Sequence, residues 1–163
     1  MALLKIYTGG APVLRRKTKP LRRVDASTRK LAADMLETMR DAPGVGLAAP
    51  QIGRSERLIV VEYEDQQFAL ANPDIVWRAD ETAVAEEGCL SLPTLYGDVE
   101  RALAVRVQGL DLANKRVTIE AEEWLARIFQ HEIDHLDGVL FTDRMAPDAQ
   151  LRSSRSHPAN EEI

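Results

Sequence analysis

Two histidines four residues apart, His131 and His135 in "QHEIDH" (130–135), restrict this chain more than any other feature. Projected at 3.6 residues per turn, 121–136 reads as an amphipathic helix, with the two imidazoles about 40° apart on one face, one turn above the other. Trp124 and Ile128 extend that face toward the N-terminus, and Leu125, Phe129 and Leu136 lie beside it. Glu123, Arg127, Gln130 and Asp134 fall on the opposite side, which reads as the solvent face. Imidazoles turned toward a core need polar partners there, because an unsatisfied buried polar group is costly. The fold must therefore bring a polar site against this helix.

Hydrogen-bonded core histidines would meet that need, but Glu132 between them completes H-E-x-x-H, and the metal reading is stronger. The i, i+4 spacing brings both rings to one ion, and the intervening glutamate reaches a water held there. A catalytic site wants a third protein ligand. The third-histidine position of the metzincin pattern is Phe141, which removes that class. A downstream glutamate would have to be Glu161 or Glu162, at the far end of the sequence. Upstream stands Cys89 in "EEGCLSLP" (86–93). A buried free cysteine is common, since it packs as a small hydrophobe. Beside H-E-x-x-H, however, a thiolate with two imidazoles makes a three-ligand set with one open position, and the chemistry favours that reading.

The 163 residues fit one domain that buries its own core. With 45% hydrophobic and 29% charged residues the balance is that of a soluble globular protein. A net charge of −5 argues against DNA as a ligand, and the basic run "LRRKTKPLRR" (14–23) reads as a solvated loop. No signal-peptide pattern opens the sequence and no stretch has the length of a membrane span, so a cytoplasmic protein without membrane contact is expected. One cysteine excludes an internal disulfide.

Leu31, Ala32, Met35, Leu36 and Met39 share one stripe at helical spacing, with Asp25 or Ser27 as cap and "APG" as stop. "VGLAAPQIG" (45–53) reads as irregular chain, because Gly46, Pro50 and Gly53 interrupt any period. Strand-like runs follow at 57–63, 67–73, 74–79 and 82–88. Leu103, Val105 and Val107 are answered by Val117 and Ile119 across a turn-like "DLANKR", an antiparallel hairpin. These elements predict an α+β fold of mostly antiparallel sheets packed around a central helix that carries H-E-x-x-H. One catalytic domain over 1–145 and a short polar tail over 146–163, helical or poorly ordered, are expected.

Three separated motifs, "GVGLAAPQ" (44–51), "EGCLS" (87–91) and "QHEIDH" (130–135), occur in the order found in peptide deformylases, which the sequence resembles over roughly 3–145. The resemblance implies that Cys89, His131 and His135 bind one divalent metal ion, often ferrous iron natively, with zinc, nickel or cobalt able to substitute. It implies that Glu132 is the general base and then acid, and that the Gln51 side chain and the Leu90 N–H hydrogen-bond the formyl oxygen. Backbone around Gly44, Val45 and Gly46 would receive the substrate as an added strand, and Val45, Trp124 and Ile128 would wall an apolar pocket for methionine. The implied partners are formylated nascent peptides, docking on the ribosome is left open because the tail is short and polar where some members of the family have a long terminal helix, and the expected state is a monomer. Thr94 and Glu123 depart from the family pattern, standing where glycine is frequent. The rival readings are an H-E-x-x-H peptidase acting on internal peptide bonds and a non-catalytic metal-binding protein of the same fold.

Overall fold

The structure, a computed structural model, describes residues 2–155 and residue 163. The first helix, α1 (Ala26–Asp41), begins where Asp25 accepts a hydrogen bond from the Thr28 N–H at 3.1 Å while Thr28 Oγ1 accepts from the Asp25 N–H. Asp25, rather than Ser27, is thus the cap, and the reciprocal bonds satisfy donors that a helix start leaves open. Four strands then build most of one antiparallel sheet: β1 (Gly46–Ala48), β2 (Leu58–Tyr63), β3 (Gln66–Arg78) and, after an intervening ribbon, β6 (Ala104–Leu110). β7 (Arg116–Glu122) completes it in the order β1-β2-β3-β6-β7, and β4 (Thr82–Cys89) pairs with β5 (Leu92–Ala102) as the separate two-stranded ribbon. β7 runs without a loop into α2 (Glu123–Leu136), the H-E-x-x-H helix.

The continuous apolar run of β2 follows from burial on both faces. Leu58 and Val60 meet Leu31, Met35 and Met39 of α1. Ile59 and Val61, pointing the other way, join Val105, Val107, Ile128 and Phe129 in the cluster beneath α2. The order of layers is α1, five-stranded sheet, α2 and ribbon.

The expected antiparallel α+β architecture around α2 is what the chain adopts. Four local readings change. Residues 46–48 form a strand, β1, too short to show a period. The runs 67–73 and 74–79 are one strand, β3, with register shifts that absorb the Pro73 region. β5 has no counterpart in the sequence reading, because Pro93 and Gly97 break its pattern. The side of α2 carrying Arg127, Gln130 and Asp134 is not solvent-facing: every residue from Leu125 to Leu136 is buried, because the ribbon covers it. Glu123 alone of that set is exposed. The basic segment 14–23 is irregular beyond a 3-10 turn at Pro12–Arg15, with Arg16 and Lys17 exposed and Leu14 and Thr18 buried. Within 146–155 no helix forms; the chain runs beside β5, where Arg152 bridges Tyr96. The part of the tail reading that falls on 156–162 lies outside the described residues.

Both glycine-rich positions that this chain fills otherwise have left-handed backbone, with φ +64° at Thr94 and +52° at Glu123. A β-branched residue there is the more strained of the two. Thr94 is exposed, and its hydroxyl donates a hydrogen bond to the Pro93 carbonyl. Thr94→Gly is expected to stabilise the protein by about 1 kcal/mol, the relieved strand geometry outweighing the added chain entropy. Calorimetry should show Tm rising by about 2–4 °C.

Candidate active site

Cys89 closes β4 at a register shift opposite Leu92, so the chain turns there and presents the thiol toward α2. His131 and His135 lie one turn apart on the facing side of that helix, with ring centroids 5.0 Å apart. The three donor atoms lie within 4.8 Å of one another, and all three residues are buried. Cys89 Sγ is 3.3 Å from His135 Nε2. His131 Nδ1 is 2.9 Å from a Glu87 carboxylate oxygen, while its Nε2 is buried without a partner among the described residues. That is how a ligand imidazole is held: one nitrogen fixed by a carboxylate, the other free to donate to a metal. A sulfur and two ring nitrogens converging in a buried pocket, with one of those nitrogens orphaned, fit a tetrahedral divalent ion that keeps one position open.

Burial sets the protonation of these groups. It pushes the Cys89 thiol well above its ordinary range, with Glu132 adding to the effect, and holds His135 well below the usual imidazole value, helped by His131. Burial, with the charge of Glu87, also raises the Glu132 carboxyl well above the carboxylate range. Both Glu132 oxygens are buried without hydrogen-bond partners among the described residues. Glu87 goes the other way. Its own burial would raise it, but hydrogen bonds from Arg101 and His131 hold it far below the usual value.

Gln51 is fully buried on the short 3-10 turn Ala49–Ile52 that follows β1. Its Oε1 accepts from the Ala48 N–H at 2.9 Å, which fixes the amide so that Nε2 donates to Ser91 Oγ at 3.1 Å and approaches Cys89 Sγ at 3.6 Å. Gln51, Cys89 and Glu132, far apart in sequence, thus surround one small volume.

A profile of the polypeptide deformylase family matches residues 3–150. The peptide deformylase of Symbiobacterium thermophilum is 56% identical over 147 residues, covering 88% of this chain and 67% of that one. That of Natranaerobius thermophilus is 49% identical over 158 residues, covering 96% and 100%. This chain belongs to the polypeptide deformylase family. The crystal structure of the deformylase from Thermotoga maritima superposes with a TM-score of 0.88 at 42% identity, covering 90% of this chain and 100% of that one. The chain is therefore an enzyme of the deformylase class, which removes the N-formyl group from nascent peptides. Among the described residues no helix is long and apolar enough to cross a membrane.

Within this deformylase the other residues read from sequence fall as follows. Val45 and Ile128 are buried in one cluster, with Trp124 partly buried against it. Gly44 and Gly46 flank Val45, and both are crowded by the site itself. A Cβ at Gly46 would lie 2.6 Å from Glu132 Oε2, and one at Gly44 2.8 Å from Leu90 Cδ1. The absence of a side chain at Gly46 thus makes room for the Glu132 carboxylate, a reason not visible in the loop sequence. Gly46→Ala is expected to displace that carboxylate; with Glu132 in the role proposed below, kcat should fall about 10-fold or more in a steady-state assay, since small misplacements are costly. The Leu90 N–H donates to the carbonyl oxygen of Ile163 at 3.3 Å.

Sequence reasoning missed Glu87, Arg101 and Ser91. Arg101 embraces Glu87 with two hydrogen bonds of 2.9 Å and reaches Asp134 at 2.7 Å, and Arg127 adds a third bond to Glu87 at 2.7 Å. One signal was available: Glu87 and Cys89 are two apart on β4, so their side chains share a face of the strand.

Proposed function

We propose that Cys89, His131 and His135 hold one divalent metal ion and that this centre hydrolyses N-terminal formylmethionine, releasing formate. The observation that carries the reading is the buried three-donor cluster with the Gln51 amide and the Glu132 carboxylate beside it. Ferrous iron is the proposed native ion, and zinc, nickel or cobalt suit the same donors, which do not discriminate among them by affinity alone. Bound there, the ion would polarise the formyl carbonyl and promote ionisation of the attacking water.

The chain's own groups do the rest. The Gln51 Nε2–H and the Leu90 N–H donate to the formyl oxygen as negative charge builds on it, where fixed donors contribute most. Glu132 takes a proton from the attacking water and passes it to the amine nitrogen as the C–N bond breaks, leaving formate and a free amino terminus. Its burial makes it a stronger base than an exposed carboxylate. β1 is the edge strand of the five-stranded sheet, which supports substrate addition along Gly44–Gly46. The buried cluster around Val45 and Ile128, with Trp124 at its side, suits an unbranched apolar side chain such as methionine.

The test is anaerobic formate release from formyl-Met-Ala-Ser by iron-loaded protein. Formate no faster than in the metal-free control, with occupancy verified, would refute the proposal. Cys89→Ala is expected to weaken metal binding by about 10²–10³-fold, the share of one ligand in a site worth roughly 10–16 kcal/mol with four. Competition with a chromophoric chelator measures this. Binding unchanged by the substitution would favour a peptidase site completed by Glu161 or Glu162.

A further inference from the structure

The Leu90 N–H, assigned above to the formyl oxygen, already has a partner, and so does the apolar cluster assigned to methionine. Both are met by one residue. Ile163 is fully buried in the cluster that contains Val45, Leu125 and Ile128, and its carbonyl oxygen accepts the Leu90 hydrogen bond at 3.3 Å. An aliphatic side chain in an apolar pocket with a neighbouring carbonyl on a backbone donor is the arrangement a bound peptide residue would take. Residue 163 lies beyond the region 3–150 that matches the family, so this contact is a property of this chain's own tail.

The preceding segment is fixed near the site. Arg152 exchanges two backbone hydrogen bonds with Tyr96, of 2.7 and 2.8 Å, and Tyr96 is the cross-strand partner of Gly88, next to Cys89. The Arg152 guanidinium bonds Glu86 and Asp98, and that of Arg155 lies over the Tyr96 ring. From Arg155 to Ile163 the chain reaches up to about 27 Å, so an anchored tail can enter the pocket of its own molecule.

We propose that Ile163 occupies the pocket for the substrate's first side chain in cis, with its carbonyl on the Leu90 N–H, and competes with formylated peptides for the site. This rests on the substrate reading above, but its occupancy can be measured apart from activity. A tail tethered at Tyr96 acts at a local concentration on the order of millimolar, so even weak intrinsic affinity keeps the pocket partly filled. A substrate that binds only the vacant form has its apparent affinity reduced by the vacant fraction. Occupancy of two-thirds corresponds to about a threefold rise in KM, with kcat untouched because saturating peptide displaces the tail.

The experiment uses the full chain with methyl-labelled isoleucine and valine. Contacts in NMR between the Ile163 methyls and those of Val45 and Ile128 are expected, and formyl-Met-Ala-Ser should remove them. Ile163→Asp, which cannot enter an apolar pocket, should lower KM for that peptide about threefold at unchanged kcat, independently of enzyme concentration, with Ile163→Ala intermediate. Missing contacts, or contacts that persist at saturating peptide with KM equal in all three proteins, would overturn the proposal. A fall in thermal stability with no change in KM would make Ile163 a structural plug, and an effect that grows with enzyme concentration would place the tail in a second copy; either result rejects competition in cis. If no formate is released by any form, the NMR contacts still decide whether the tail fills the pocket.

Discussion

Glu132→Gln is expected to leave metal content and fold intact and to lower kcat/KM by about 10³-fold or more. General acid–base catalysis by one positioned group is worth roughly 10²–10⁴, and both proton transfers are proposed for Glu132. Glutamine keeps the shape against Gly46 and loses only the basic oxygen. The same variant has a stability signature that a bystander would lack. In the metal-free protein the Glu132 carboxyl is raised by burial and by Glu87, so above pH 4.5 the folded state holds a proton that the unfolded state has released. Stability conferred by that proton is complete below 4.5 and declines as pH rises toward the folded value. Urea titrations of metal-free protein should therefore show Glu132→Gln gaining on the parent chain as pH increases. Equal pH profiles, or a variant with turnover close to the parent, would remove Glu132 from the role proposed for it.

Glu87→Ala is expected to destabilise the protein by about 3–5 kcal/mol, the cost of leaving buried charges uncompensated. Arg101 and Arg127 are both buried, and each loses its principal acceptor. Against a total stability of about 5–15 kcal/mol this is enough to bring the chain near unfolding at physiological temperature. The His131 ring would lose its orienting carboxylate as well, with metal affinity falling about 10–100-fold. The sign with pH is opposite to that of Glu132. Glu87 is held below its unfolded value, so its contribution is present above about pH 4.5 and is lost as pH falls toward the folded value. The variant should consequently show a shallower acid limb in urea titrations. A loss under 1 kcal/mol would mean that Asp134, which also pairs with Arg101, carries the network without Glu87.

The parts of this molecule that announce themselves in the sequence are those governed by short-range spacing. The α1 stripe, the β6–β7 hairpin and the pairing of His131 with His135 each repeat at the period of their own element. Cys89 was reachable because thiolate and imidazole chemistry restricts the partners of H-E-x-x-H. What stayed hidden depends on contacts between distant segments. Arg127, Gln130 and Asp134 look like a solvated face until β4 and β5 bring Glu87, Arg101 and the Ala102 backbone against them. β5 itself carries Pro93 and Gly97 and so lacks strand punctuation. Gly46 reads in sequence as a loop glycine, and its requirement comes from Glu132, eighty-odd residues away. Ile163, at the edge of a polar tail, gave no sign of burial.

The α2 helix lies between two sheets, its apolar side on one and its ionic side on the other. A surface helix can fray or lift without disturbing the rest, but releasing α2 means parting both sheets at once. Local opening is therefore a poor route to its amides, and their exchange with solvent should approach the rate set by unfolding of the whole chain. Two of the three donors sit on this segment. The proposed centre is therefore built on a segment whose local melting is costly, and the spacing of His131 and His135 should persist for as long as the whole chain stays folded.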